Sequence, residues 1–116
     1  MDLKHRLKTN DEFKNVLDGR HSLKYQSFKI YYVKNSLNYS RFGLSVSKKV
    51  GNAVTRNLIK RRFRANIKDV CDLDGLCLDI VVIAQKSVVE MNFSEIQSEF
   101  KQMNLTLKEK LNEKKD

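Results

Sequence analysis

The chain has 116 residues, 41% of them hydrophobic, and a formal net charge of +9. That is enough for one domain, 1–116, with a modest core. No apolar run is long enough to span a bilayer, and the polar start Met1-Asp2-Leu3-Lys4-His5-Arg6 does not read as a secretory leader, so a cytoplasmic protein is expected.

Thr9-Asn10-Asp11-Glu12 predicts a helix start, with Thr9 as cap and Glu12 reaching back three residues. Phe13, Val16 and Leu17 mark one face of this short helix, and Asp18-Gly19 ends it. Residues 20–24 are basic and polar and read as a connection. Tyr25 to Lys34, rich in aromatic and β-branched residues, predicts a strand. Phe28, Ile30 and Tyr32 face one way, and Lys29, Tyr31 and Val33 the other. After a polar turn, Asn35 to Ser40, a second strand runs from Arg41 to Ser47. Its Phe42, Leu44 and Val46 point to a core. Gly43, Ser45 and Ser47 make the other face low enough for another chain to approach.

Gly51-Asn52 opens a helix that ends near Cys71, and Asp72-Leu73-Asp74-Gly75 reads as a loop. Leu78 to Ala84 is nearly all apolar, as expected of a strand covered on both faces. Lys86 to Glu90 has no clear period. Asn92 or Ser94 caps the last helix, with Glu95 or Gln97 as partner. Phe93, Ile96, Phe100, Met103, Leu107 and Leu111 recur at helical spacing, so this helix lies on a sheet. The tail Asn112 to Asp116 is expected to fray. The order is helix, two or three strands, basic helix, strand, helix: an α+β sandwich whose basic helix joins neighbouring strands in a βαβ unit.

The charge is segregated. Between Arg41 and Lys68 stand nine Lys or Arg and no Asp or Glu, while the bases and acids of the remaining residues cancel. A localised positive field suits a polyanion. Projected at the α-helical period, Ile59, Phe63, Ile67 and Val70 of the basic helix form an apolar stripe that docks. Lys60, Arg64, Asn57, Lys68 and Arg61 form an arc beside it, with Arg56 on the boundary and Arg62 apart. This helix lacks the aromatic-rich face of an interfacial membrane anchor. Phe13 and Tyr31 border the low face of Gly43, Ser45 and Ser47, a groove suited to single-stranded nucleic acid. Composition alone reads Phe13 and Leu17 as core.

Cys71 and Cys77 fit neither a zinc spacing nor a redox pair and read as free thiols. His5 and His21 are isolated and read as surface residues. Asp72, Asp74 and Asp79 are the one acidic concentration and read as decoration of a solvated loop. No carboxylate cluster stands near the basic helix, where a protein-only nuclease would need one for its metal.

Gly43-Leu44-Ser45-Val46-Ser47-Lys48-Lys49, then Gly51-Asn52-Ala53-Val54, then Arg56-Asn57-Leu58-Ile59-Lys60-Arg61-Arg62 resembles the signature of the bacterial ribonuclease P protein family, a strand followed by an Arg-Asn-Arg helix. Phe13, Phe28, Tyr31 and Ala84-Gln85-Lys86 extend the likeness over nearly the whole chain. The resemblance implies a two-layer sandwich of order α-β-β-β-α-β-α, like the second domain of ribosomal protein S5. Its βαβ crossover would be left-handed, where the general rule favours the right hand. The resemblance also implies a subunit of an endoribonuclease whose catalyst is RNA. No catalytic residue or metal ligand is then assigned to the chain, and Mg2+ is a requirement of the RNA-containing holoenzyme.

The implied partners are two RNAs, with neither a membrane nor a small-molecule substrate. Arg56, Asn57, Lys60, Arg61, Arg62, Arg64 and Lys68 would hold the catalytic RNA subunit. Phe13, Leu17, Tyr31, Lys48 and Lys49 would bind the single-stranded 5′ leader of precursor tRNA in a cleft. Three residues depart from the pattern: Leu58 replaces the second Arg, Leu17 stands where an aromatic is frequent, and Gln85 where a base is frequent. The alternative is a general RNA-binding or ribosomal-type protein, indifferent to a leader.

Overall fold

In the computed structural model, which describes residues 5–112, the elements run α1 (Asn10–Asp18), β1 (Ser22–Lys24), β2 (Phe28–Lys34), β3 (Arg41–Ser45), α2 (Ala53–Val70), β4 (Leu78–Ala84) and α3 (Phe93–Asn112). The expected order α-β-β-β-α-β-α is found. One-turn 3₁₀ helices at Asp74–Leu76 and Lys86–Glu90 flank β4. The polar start Met1 to Lys4 and the tail after Asn112 lie outside the described residues.

The strands form one sheet in the order β1-β2-β4-β3. β2 pairs antiparallel with β1 and β4, and β3 pairs parallel with β4, so α2 is the crossover of the expected βαβ unit. β4 has a neighbour on each side and an element on each face, which explains why it is apolar at every position but Asp79.

The two faces differ. On one, Phe28, Ile30, Tyr32, Phe42 and Val82 pack against Ile59, Phe63 and Ile67 of α2 and Ile96, Phe100, Met103 and Leu107 of α3. The rings of Phe28 and Phe100 lie 4.3 Å apart, and Phe63 meets both edge-on. On the opposite face α1 lies alone, its Val16 packed with Leu7 and Val81 and bordered by Phe13, Tyr31, Val33 and Ile83. The sandwich thus carries a short third element, and the site is built around it.

Local chemistry sets the ends. Thr9 and Glu12 form the expected capping box of α1. For α3 the cap is Asn92 rather than Ser94, and Glu95 returns the hydrogen bond. β3 stops at Ser45, because Ser47 already opens a turn with Val50.

The expected first strand is shorter than predicted, and another strand precedes it. Ser22–Lys24 pairs at the sheet edge, where a connection was expected, and β2 begins at Phe28. Between them a hairpin is held by Glu99 of α3, whose carboxylate accepts the amides of Gln26 at 3.1 Å and Ser27 at 2.7 Å. β1 escapes sequence reading because Leu23 is its one apolar side chain and both neighbours are exposed.

Asp79 is corrected. It is no loop decoration but a β4 residue, 4% exposed. Arg41 of β3 forks onto it, Nε at 2.9 Å and Nη2 at 2.7 Å, and Asn35 donates to it at 2.9 Å. A carboxylate at such a site needs these partners to remain charged.

Candidate nucleic-acid interface

α2 presents its charge from a fixed base. Asn52 caps it by accepting the Thr55 amide at 2.9 Å. Ile59, Phe63 and Ile67 are buried as expected, and Val70 packs at the margin of the core. Asn66 shares that buried side, fully covered, with its Nδ2 donating to the Arg62 carbonyl at 3.0 Å.

Away from the core, Asn57, Arg61 and Lys68 are exposed, and Arg56, Lys60, Arg62 and Arg64 are half-buried. Arg56 is steered by its Nε bond to the Gly51 carbonyl at 3.1 Å. Lys48 and Lys49 stand exposed in the turn that leads into the helix. The ion pairs among the described residues use His5, Arg41 and Lys108 with Asp74, Glu12, Asp79 and Asp72, and none uses a cation of α2. Arg41, one of the nine cations in the basic segment, is neutralised at home. The charge of the other eight remains available to an external anion.

The α1 face is built in rows by the strand register. Val33, Asp79 and Arg41 align in one row, Tyr31, Val81 and Gly43 in the next, and Lys29, Ile83 and Ser45 in a third. α1 crosses the first two. Its Gly19 end abuts Val33, and its Phe13 ring lies on Gly43, so close that a Cβ there would stand 2.4 Å from the ring. The low floor read from the sequence is therefore partly filled by the chain's own Phe13. Phe13 and Tyr31 are both half-buried on this face, and Leu17 is 38% exposed. Beyond them the third row is open at Ser45, and Lys29 Nζ sits 4.7 Å from the centre of the Tyr31 ring.

The two surfaces meet around the β3 edge. A hollow of about 180 Å³ there is lined by Phe13, Gly43 and Leu44 together with Lys60 and Arg64 of α2, and by Arg6. Sequence reading assigned Phe13 to one surface and Lys60 and Arg64 to the other, and it missed Arg6. Arg6 bridges in parallel to Phe42, a placement with no local signal.

The other titratable groups make no competing centre. His5, read as a surface residue, is half-buried, with Nε2 3.4 Å from Asp74 in a hollow that also reaches Cys71. Burial pushes the Cys71 thiol up to about 12, so at neutral pH it is protonated and a poor nucleophile. Among the described residues, no three of His, Cys, Asp and Glu stand close enough to hold a metal ion.

Residues 1–108 match the family model for ribonuclease P. The chain belongs to the ribonuclease P protein family. It is 44% identical over 98 residues to the ribonuclease P protein component of Bacillus cereus strain 03BB102, covering 84% of this chain and 85% of the relative. Against that of Mesoplasma florum it is 40% identical, covering 84% and 89%. Among solved structures, the Staphylococcus aureus RNase P protein superposes with a TM-score of 0.75 at 34% identity, covering 89% of this chain and 94% of that one. The Thermotoga maritima RNase P protein gives 0.71 at 32%, covering 86% and 93%.

Family membership makes the chain part of an endoribonuclease complex, and tRNA processing and RNA binding come with that class. Against the family pattern, Leu58 stands on the outer side of α2, 38% exposed and one turn beyond the exposed Val54. A short apolar stripe thus interrupts the cations where the motif has its second Arg.

Proposed function

We propose that the chain is the protein subunit of a ribonuclease P holoenzyme that removes the 5′ leader from precursor tRNA. The observation that carries this reading is the docked cationic side of α2, none of whose cations is used in an ion pair among the described residues, in a chain of this family. Arg56, Arg61, Arg62 and Arg64 fork onto phosphates of the catalytic RNA subunit, and Lys60 and Lys68 add point charge. Asn57 bonds a base edge or a ribose. The leader crosses the α1 face. Phe13 and Tyr31 offer rings for its bases, Leu17 an apolar wall, and Lys48 and Lys49 cations for its phosphates. In this reading Lys60 and Arg64 stand where the two RNAs come together.

The RNA performs the cleavage, and the protein binds and orients. Mg2+ belongs to the RNA-containing holoenzyme, where it supports the chemistry of the RNA. Work on a tRNA precursor places the protein in the cytoplasm, and no described helix is long and apolar enough to cross a membrane.

The test is cleavage of precursor tRNA by the RNA subunit at low Mg2+, with and without this protein, over a series of leader lengths. The expected result is a gain in rate or substrate affinity that shrinks as the leader shortens, while affinity for the RNA subunit holds. No gain overturns the reading. RNA binding without any leader dependence favours a general RNA-binding protein.

A further inference from the structure

We infer that Arg41 and Glu12 are positioning residues for the leader cleft: through them the sheet fixes where α1, and with it Phe13, stands. The inference rests on the leader-binding reading above and deepens it. α1 has nine residues, too few to hold a helix alone in water, and of these Val16 is the fully buried one. Its seat therefore depends on what ties it down.

Glu12 uses its two oxygens differently. Oε1 accepts the amides of Lys8 at 2.7 Å and Thr9 at 2.9 Å and closes the helix start. Oε2 accepts Arg41 Nη1 at 2.6 Å. The same guanidinium is forked onto buried Asp79 of β4. A continuous set of charge-assisted bonds thus runs from an inner strand through β3 to the first turn of α1. Phe13 is the next residue along α1, and its ring rests on Gly43, two residues along β3 from Arg41. One guanidinium therefore ties the wall of the cleft to its floor. A displacement of about 1 Å is enough to spoil a well-positioned contact.

Charge gives the test a sign. Glu12→Gln removes a negative charge beside a site for a polyanion, so simple repulsion predicts tighter leader binding. Positioning predicts the reverse. Gln keeps an oxygen for the cap amides but turns an N–H₂ group against the N–H of Arg41, donor facing donor.

The experiment uses the full chain assembled with the RNA subunit and precursor tRNAs bearing a long or a short leader. Glu12→Gln is expected to raise KM for the long-leader substrate about three- to tenfold. Its kcat, its KM for the short-leader substrate and its affinity for the RNA subunit should stay within about twofold of the parent. Arg41→Lys, which keeps a cation beside Asp79 but cannot fork onto Asp79 and reach Glu12 together, should give the same split. Unchanged or tighter long-leader binding overturns the inference. An equal loss with both leaders, or a loss in RNA-subunit affinity, also overturns it, because that is the mark of a merely structural role. If the unmodified protein shows no leader-length dependence, the leader-binding reading falls and the inference with it.

Discussion

Phe13 and Gly43 are a matched pair: the ring has its place because the strand beneath it lacks a Cβ. Gly43→Ala is expected to push the ring aside at a cost of about 1 kcal/mol in urea unfolding, at the low end for overpacking because a side-chain tip can yield. Leader-dependent affinity should fall with it. Leu58 sits differently, 38% exposed on the outer side of α2. Leu58→Arg should leave stability within about 0.5 kcal/mol. It should steepen the salt dependence of RNA-subunit binding by just under one in the slope of log K against log salt, the mark of about one more phosphate contact. The glycine at 43 was legible as a low spot, but what fills it was not, because Phe13 lies 30 positions earlier in the chain. Asp79 was misread for a related reason. An aspartate in an apolar run looks exposed until its cation, Arg41, is brought across from the next strand.

Among the elements, α2 and α3 were read closely because a docked helix writes its burial into its period. β4 was read to the residue, since covering both faces leaves it apolar at every position but Asp79. β1 was lost because an edge strand of three residues has too little burial to leave a pattern. The lone helix of the opposite face, α1, is the element that pH should reach first. The Glu12 carboxyl is held at about 2, below its ordinary 4.5, by the Lys8 and Thr9 amides and then by Arg41. Folding lowers this pKa, so the contribution of Glu12 is whole above pH 4.5 and is lost as the pH falls towards 2. α1 should loosen across that window and stay seated above it. The Gly43 amide, beneath the Phe13 ring, reports the change in an NMR titration, and Glu12→Gln should flatten the response. A Gly43 shift that tracks no acid transition would show that Glu12 does not seat the helix.

For the whole molecule, the sequence placed the surplus charge in one segment and most of that segment's cations on one docked helix, and both hold. What it could not place was the meeting of the two surfaces around β3, where Arg6, Phe13, Lys60 and Arg64 share a hollow despite their distance in the chain. That meeting follows from the strand order, which also governs how the molecule comes into being. β4 is the last strand to be synthesised, yet it lies between β2 and β3. A growing chain that stops short of Leu78 holds a β1–β2 hairpin on one side and an unpaired β3 on the other, with nothing to join them. Its cationic helix is already made but has no sheet to dock on. Pairings this distant in sequence are slow to close. The protein is thus expected to become an ordered binder late in its synthesis, once residues 78–84 can fill the gap and α3, which follows them, can cover the sheet.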